Sequence, residues 1–470
     1  MEKSEGKVLE EKLLNNKKSG WERITDKEKE NIFKFSDEYI WFLNRSKTER
    51  EFVKTAVDIL EKNGFRDVNS VDNIKTGDKV YFSNRGKSLY IAVIGAKKLE
   101  EGLNLVGAHI DSPRLDLKPN ALYEDTEFAY FNTHYYGGIK KYQWTAIPLS
   151  IHGVIVKSNG EKIDVNIGED EEDPIFTITD LLPHLAKDQL QKKLNDGIEG
   201  EDLNLLIGNM PINYPEVKEK VKLNVLKILN EKYGITEADF LSSELELVPA
   251  FNAKSLGFDR SMIAGYGHDD KVCAYTALRA ILEAQNIEKT SVCILSDKEE
   301  VGSMGNTGME SQTFDYFISE LLNKSGENRP NLLNKVFCNS SMLSADVGVS
   351  YDPIYGAVSD RTNCAYSSYG ISFDKYTGSR GKAGGSDANA EFIAKLRGIL
   401  EKHGIQYQIA ELGKVDVGGG GTIAYILANK GVEVIDCGVP VLSMHSPYEV
   451  ASKYDIYSAY KTYKIFYEEA

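Results

Sequence analysis

The sequence predicts an α/β fold that is interrupted by an inserted block rich in β-strands. Apolar runs of strand length, such as LYIAVIG, LNLVGAH and SVCILS, end at charged or turn-forming residues. Amphipathic helical segments separate them, which is the pattern of an α/β domain. Residues 120–250 instead contain alternating segments with tight-turn dipeptides, typical of antiparallel strands. Because 470 residues exceed one ordinary core, we expect a discontinuous domain of residues 1–119 and 251–470 and an inserted domain of residues 120–250.

The N-terminal part contains one helix with a recognisable start, followed by two strands. The tetrapeptide SKTE at 46–49 has the form of a capping box. Apolar residues then recur at helical spacing as far as Gly64, at Phe52, Ala56, Ile59 and Leu60. LYIAVIG and LNLVGAH predict two buried strands, and the second ends at His109, two residues before Asp111.

The inserted block predicts a hairpin, an acidic loop and a helix. HGVIVK and EKIDVNIG flank an SNG turn, as the two strands of an antiparallel hairpin do. The acidic run at 169–173 predicts a solvated loop, and VKLNVLKILNEKYG predicts a helix.

The α/β pattern returns near Leu256. KVCAYTALRAILEAQ predicts a helix with an apolar face of Val272, Tyr275, Leu278 and Leu282, and TSVCILSD predicts the strand after it. VFCNSSMLSADVGVS and VEVIDCGVPVLSMH are further strand-to-loop transitions. The last segment predicts an amphipathic helix whose apolar face contains Ile456, Tyr460, Tyr463 and Tyr467.

Composition and charge restrict the class of protein. A net charge of −15 argues against nucleic acid or an anionic membrane as the main partner. The chain contains no apolar run of about 18 residues, so we expect no membrane span, and its start lacks the apolar segment of a secretory signal. The five cysteines are scattered and never form a CxxC pair, which favours reduced thiols over disulfides or a thiolate zinc site. We therefore expect a cytoplasmic globular protein.

Five strand or loop ends carry candidate metal ligands. They are His109 with Asp111, Asp269 with Asp270, Glu299 with Glu300, Asp346, and His445. Each signal alone is weak, because a single histidine beside a strand is more often structural. In open α/β sheets, however, ligands bind beyond the carboxyl ends of the strands, where these residues lie. Carboxylates mixed with imidazoles suit zinc, manganese or cobalt.

Such a set can hold two ions and still supply a general base. One bridging carboxylate, with one histidine and one carboxylate on each ion, accounts for five ligands. Two ions about 3.5–4 Å apart clamp a water and lower its pKa towards neutrality. A further carboxylate must then accept the proton of that water, which is a position for one member of the pair Glu299–Glu300. Asp111 could orient His109 from behind.

Nine short segments together resemble a known family. GAHIDSPRLDLKP, YYGG, PHLA, GHDDKVCAY, SDKEEVGS, SADV, KYTGSRGK, GGGGTIA and MHSPYEV occur in the order found in the aspartyl aminopeptidase and aminopeptidase I family of dinuclear zinc exopeptidases. The chain resembles the bacterial branch more closely, from about residue 80 to its C terminus. The resemblance implies a mixed sheet sandwiched by helices, an inserted domain used in dimerisation, and dimers assembled into a homo-oligomeric dodecamer.

The resemblance also implies a role for each candidate residue. The ligands of two divalent ions, with zinc favoured over cobalt or manganese, would be His109, Asp269, Glu300, Asp346 and His445. Asp269 would bridge the ions, with His109 and Asp346 on one ion and Glu300 and His445 on the other. Glu299 would be the general base, and Asp111 would support His109.

Four further residues are candidates for contacts with substrate. In the family, a histidine of the segment LLPHLAKDQ reaches the active site of a neighbouring subunit, which implies this role for His184; a structural role is the alternative. Gly419 and Gly420 belong to a glycine run without the GK[ST] ending of a phosphate loop, so close approach to a peptide fits better. Lys375 matches a family substrate-pocket position, whereas Lys382 is interpreted as a surface lysine.

The function expected from these observations is that of a metalloaminopeptidase that removes the N-terminal residue of peptides. A metal-bridged water would attack, with Glu299 as general base. One alternative is a dinuclear metal amidohydrolase that acts on small N-acyl compounds. Another is a non-catalytic assembly or cargo protein with a residual metal site. The preferred N-terminal residue, whether acidic, neutral or basic, is left open.

Overall fold

The computed structural model describes residues 4–15, 18–327 and 329–470. Within these ranges the helices are α1 (Glu5–Leu13), α2 (Asp26–Leu43), α3 (Glu49–Lys62), α4 (Lys220–Tyr233), α5 (His268–Glu283), α6 (Thr313–Lys324), α7 (Leu332–Cys338), α8 (Ala390–Lys402), α9 (Ala424–Ala428) and α10 (Lys453–Glu469). Among them, none is both long and apolar enough to cross a membrane.

The strands form four sheets. They are β1 (Arg66–Asp67), β2 (Lys79–Asn84), β3 (Ser88–Val93), β4 (Asn104–His109), β5 (Arg114–Asp125), β6 (Phe128–Tyr136), β7 (Leu149–Val156), β8 (Lys162–Ile167), β9 (Leu205–Gly208), β10 (Ser243–Pro249), β11 (Lys254–Leu256), β12 (Met262–Gly265), β13 (Ser291–Ser296), β14 (Ser341–Ala345), β15 (Gly348–Val349), β16 (Ile371–Asp374), β17 (Gly378–Ser379), β18 (Tyr407–Ala410), β19 (Gly419–Gly420), β20 (Glu433–Gly438), β21 (Pro440–Leu442) and β22 (Glu449–Ser452).

A mixed nine-stranded sheet, in the order β1-β2-β3-β13-β4-β14-β20-β16-β18, forms the centre of the molecule. Strands β13, β4, β14 and β20 run parallel to one another, so their carboxyl ends meet at one edge. Alternate residues of β13 belong to different apolar clusters. The cluster of Cys293 includes residues of α2, α3, α5, α8 and α10, and that of Ile294 includes residues of α6, α7 and α9. Burial on both faces explains the continuous apolar runs in the sequence. The predicted helix–sheet–helix arrangement is confirmed.

An antiparallel six-stranded sheet, in the order β8-β7-β10-β5-β6-β9, is formed by residues 114–249. It has an apolar core of its own, which includes Trp144, Phe131 and Phe240. The predicted hairpin is β7–β8, in which Ile151 pairs with Ile167. That this block is a separate domain used in dimerisation stays a prediction.

Two smaller sheets lie beside the central one. The first has the order β11-β12-β22-β21-β15, and its β21–β22 connection contains His445. The second pairs β17 with β19, through Gly378 with Gly420 and Ser379 with Gly419. The glycine run predicted to lie near substrate is therefore held in an extended conformation beside a neighbouring strand.

The start of α3 differs from the sequence prediction by two residues. Thr48 is the N-cap, its side chain accepts the N–H of Glu51, and Glu51 in turn accepts the N–H of Thr48. The predicted box of Ser46 and Glu49 is wrong, because Glu49 is buried and lies 3.5 Å from Arg114 Nη1. The tetrapeptides that begin at Ser46 and at Thr48 both fit the capping pattern. The ion pair with Arg114 engages Glu49, the residue that the first of these boxes requires.

The acidic loop at 169–173 also differs from the expectation of full solvation. Glu169 accepts hydrogen bonds from Lys47 Nζ at 2.6 Å and from His152 Nε2 at 3.0 Å. The other ring nitrogen, His152 Nδ1, lies 2.7 Å from Glu51 Oε1. Burial by itself lowers the pKa of His152, but its two carboxylate partners raise that pKa to about 9. This network joins α3 to the antiparallel sheet.

Candidate metal centre

Three of the predicted ligand positions follow neighbouring parallel strands of the central sheet. His109 is the last residue of β4, the pair Glu299–Glu300 comes shortly after β13, and Asp346 follows β14. Strand β4 pairs with both β13 and β14 in parallel register, with Ala108 opposite Leu295 on one side. The apolar runs therefore bring their polar ends to one edge of the sheet.

Asp269 and His445 reach this edge from outside the central sheet. Asp269 lies in the first turn of α5, and its N–H donates to Glu449 Oε2 at 3.0 Å. The N–H of His445 donates to the other oxygen of the same carboxylate at 2.7 Å. Glu449, which the sequence did not single out, thus ties the two segments together. The Nδ1–H of His445 donates to the carbonyl of Gly138 at 2.7 Å, which leaves Nε2 to face the centre.

The carboxylate of Asp269 lies between the two histidines. Its Oδ1 is 3.1 Å from His109 Nε2, and its Oδ2 is 3.1 Å from His445 Nε2. Asp346 Oδ1 is 3.8 Å from the first imidazole nitrogen, and Glu300 Oε1 is 3.6 Å from the second. The five predicted ligands therefore form two groups that share Asp269, each with ligand atoms within 4.8 Å of one another. A third grouping joins His109 to both Glu299 and Glu300. The distances alone therefore do not show which of the two glutamates is the metal ligand and which is the general base.

The chemistry of these residues fits a divalent cation. Glu300 Oε1 is buried and has no hydrogen-bond partner among the described residues. Burial raises the pKa of Glu300 and of Asp346 well above the usual range, and the neighbouring acids add to the effect. A buried cluster of carboxylates requires positive charge to compensate it. Imidazole nitrogens together with carboxylate oxygens are ligands that zinc accepts.

Asp111 supports both sides of this centre. Its Oδ1 lies 3.3 Å from His109 Nδ1, as the sequence prediction requires. Its two carboxylate oxygens also accept the backbone N–H groups of Glu299 and Glu300, each at 3.2 Å. Tyr136 donates its hydroxyl to Asp111 Oδ2 at 2.8 Å. The sequence did not predict the last three contacts, although the YYGG segment that contains Tyr136 was noted.

Comparison with known proteins identifies the family. The model of the family described as aminopeptidase I zinc metalloprotease (M18) matches residues 42–467. The chain belongs to the M18 family. An M18 aminopeptidase from Thermotoga maritima has a crystal structure that aligns with a TM-score of 0.94 and 47% identity, over 97% of this chain and 100% of that chain. Aminopeptidase I from Clostridium acetobutylicum aligns with a TM-score of 0.91 and 50% identity, over 97% and 99% of the two chains.

A more distant structure shares the M18 fold. The mApe1 dodecamer of S. cerevisiae aligns with a TM-score of 0.74 and 20% identity, over 93% of this chain and 96% of that chain. At this identity the likeness concerns the fold alone. The resemblance predicted from the nine sequence segments is confirmed by the family match and by the two bacterial structures.

A cavity of about 600 Å³ opens beside the metal centre of the M18 chain. Its lining includes the candidate base Glu299 together with Gly419 and Gly420, the two glycines proposed from the sequence to lie near substrate. Lys375 is not among the lining residues, because its Nζ turns to Asp387 Oδ1 at 2.7 Å. The lining contains residues that the sequence did not predict, namely Ser372, Asp374 and Asp436, as well as Arg380, Lys382 and Lys414.

His184 lies apart from the centre of its own M18 chain. It is exposed in the loop between β8 and β9 and forms no hydrogen bond or ion pair with any of the described residues. Leu181, Leu182 and Leu185 of the same loop are also exposed. A contribution of His184 to catalysis within the same subunit therefore has no contact to support it.

Proposed function

We propose that this M18 zinc metalloaminopeptidase releases the N-terminal residue of peptides at a centre that binds two ions. Its ligands would be His109, Asp269, Glu300, Asp346 and His445. The main support is Asp269, whose two oxygens each face a different histidine at 3.1 Å. One carboxylate placed in this way can serve two ions, and a single-ion site would not require it.

Two distances support a pairing of the ligands with the ions. His109 and Asp346 would bind one ion, and Glu300 and His445 would bind the other, since these pairs are 3.8 and 3.6 Å apart. Zinc is the family metal, and the same donors accept cobalt or manganese. Zinc in such sites polarises carbonyl groups and lowers the pKa of water.

Glu299 would be the general base that transfers the proton of the attacking water. Its carboxylate lines the cavity, and its Oε2 is 3.8 Å from His109 Nε2. Burial raises the pKa of Glu299 above the usual range, which brings its basicity closer to that required near neutral pH. The carboxylate would take a proton from the attacking water and return it to the leaving amine. Asp111 would hold the backbone of Glu299 at 3.2 Å during this transfer.

The glutamate pair supplies the decisive experiment. We expect Glu299→Gln to retain two zinc ions per chain and to lower kcat by about 10²–10⁴. Glu300→Gln should instead lose zinc. Metal content measured by atomic emission, together with turnover of an aminoacyl amide, distinguishes these outcomes. If Glu299→Gln loses an ion while Glu300→Gln keeps both, the two roles are exchanged.

A free α-amine on the substrate is the second test. The aminopeptidase should hydrolyse an unmodified dipeptide amide and leave its N-acetylated form intact. Preferential hydrolysis of the acetylated form would instead indicate an amidohydrolase of small N-acyl compounds.

We also propose that dimers of the chain assemble into a dodecamer and that residues 120–250 form the dimerisation domain. The S. cerevisiae relative is described as a dodecamer, and the loop at 181–185 of this chain exposes three leucines. His184 would then act in the neighbouring subunit. Sedimentation should give a mass close to twelve times 52.4 kDa. The free cysteines favour a reducing, cytoplasmic location.

Mixed oligomers test His184. An inactive His184→Ala subunit still contains Glu299, and an inactive Glu299→Gln subunit still contains His184. Co-assembly of the two variants should restore part of the activity if His184 acts across the interface. No restoration in a mixed oligomer whose composition has been verified would exclude that role.

A further inference from the structure

One wall of the cavity beside the metal centre is acidic, and the proposed mechanism does not use it. Asp374 is the last residue of β16 and is the Cα partner of Asp436 on the antiparallel strand β20. Directly paired residues project to the same face of a sheet, so the two carboxylates are adjacent. Both line the cavity, as does Ser372, which lies two residues before Asp374 on the same face of β16.

The polar atoms of this wall are incompletely satisfied. Ser372 is 2% exposed, and its hydroxyl has no hydrogen-bond partner among the described residues. Asp436 is also buried, and it accepts a hydrogen bond from the hydroxyl of Thr422. Asp374 is half-buried, and its carboxyl group has neither a hydrogen bond nor an ion pair within the described ranges. Buried polar groups normally have partners, so a group aimed into a cavity without one indicates a ligand.

The charge that surrounds Asp374 is negative. Burial, together with Asp436 and Glu411, raises the pKa of Asp374 to about 8. The basic residues that line the same cavity, Arg380, Lys382 and Lys414, are all exposed. Charges in contact with water interact weakly, and Lys382 is already paired with Asp387 at 2.9 Å. The acidic wall therefore lacks a counter-charge from the protein.

We propose that Ser372, Asp374 and Asp436 form the pocket for the side chain of the substrate's N-terminal residue, and that this pocket selects a cation, lysine or arginine. This inference rests on the proposed aminopeptidase function and names its substrate class. An ammonium or guanidinium group would stabilise the ionised form of Asp374, and its N–H groups would donate to the carboxylates and to the Ser372 hydroxyl. A neutral side chain would leave the Asp374 carboxyl and the Ser372 hydroxyl unpaired.

The matched pair of lysine and norleucine substrates tests the pocket. Both have a free α-amine and a four-carbon side chain, but only lysine has a charge at its end. Wild-type enzyme should prefer the lysyl amide in kcat/KM by at least about tenfold. Asp374→Asn should lower the lysine-to-norleucine ratio of kcat/KM by roughly 10- to 100-fold. Ser372→Ala should lower the ratio less, and Glu391→Gln, at an exposed position on α8, should not change it.

Each remaining outcome overturns the inference in a recognisable way. If Asp374→Asn lowers kcat/KM equally for both substrates, the carboxylate contacts the α-amine or the reacting centre, not the substrate's side chain. If wild-type enzyme prefers norleucine or a glutamyl amide, the pocket does not select a cation, although the aminopeptidase function stands. If zinc-loaded enzyme hydrolyses none of these amides, the aminopeptidase proposal itself fails, and the pocket assignment fails with it. Zinc content and the melting temperature of each variant report whether its fold and metal centre are intact.

Discussion

Asp111→Asn is the substitution that separates a supporting residue from a ligand. One oxygen of Asp111 faces His109 Nδ1 and the N–H of Glu299, and the other accepts from Glu300 N–H and the hydroxyl of Tyr136. In either orientation of the asparagine amide, its NH₂ group replaces one carboxylate oxygen. That NH₂ group is a donor, yet the groups around it are donors too. Two contacts are lost, and hydrogen bonds to a charged group contribute about 1.5–3 kcal/mol each. We therefore expect a total cost of about 3–6 kcal/mol, divided between folding and zinc binding.

Zinc affinity is the quantity to measure. Removal of such an outer partner typically weakens metal binding by about 10- to 100-fold, and competition with a chromophoric chelator covers this range. Tyr136→Phe removes one of the donors to Asp111 and should produce a smaller loss in the same direction. Thermal unfolding of zinc-free and zinc-loaded protein reports how much of the cost falls on folding. If Asp111→Asn binds zinc as tightly as wild type and unfolds at the same temperature, the reasoning about these contacts is wrong.

Three further predictions concern stability and the metal. The folded-state pKa of His152, about 9, is above the unfolded value near 6.5, so its ion pairs contribute fully below pH 6.5 and are lost as pH rises through 9. His152→Gln should thus lower the free energy of unfolding by about 3 kcal/mol at pH 6 and by much less at pH 10. Urea titrations at the two pH values measure this loss, and an equal loss at both would contradict the prediction. Removal of zinc leaves acidic ligands, Glu300 and Asp346, whose folded-state pKa is raised by burial. The zinc-free protein should therefore lose stability as pH rises above the ordinary carboxyl pKa, whereas the zinc-loaded protein should not; parallel melting curves would refute this. Gly438→Ala would place a Cβ 1.7 Å from the carbonyl oxygen of Asp346, so it should cost about 1–3 kcal/mol and weaken zinc binding, whereas Gly398→Ala, in open space on α8, should do neither.

The sequence predicted the strand ends because burial on both faces imposes continuous apolar runs that stop where polar residues begin. His109 and Asp346 lie where two such runs end, so the sequence alone predicts their position at the edge of the sheet. The capping signal of α3 was less certain, since two overlapping tetrapeptides satisfied the same pattern. Only the buried ion pair of Glu49 with Arg114 shows which threonine or serine begins the helix.

Lys375 and Asp374 show the limit of reasoning from motifs. They are neighbours at the end of β16, and adjacent residues of an extended strand point to opposite sides. Of these two neighbours, Asp374 lines the cavity and Lys375 does not, so a match to a family segment does not show which side chain faces the cavity. Since the two side chains have opposite charges, a shift of one position reverses the charge that faces the cavity.

By itself, the sequence determined the family, the α/β class, and the residue types that a metallopeptidase centre requires. These properties depend on local composition and on the order of short segments. The tertiary structure decided which carboxylate lies between two histidines, since Asp269 and His445 are far apart in sequence and meet through Glu449. It also decided which charges face the cavity, because that depends on strand register and on long-range ion pairs, which no local pattern records.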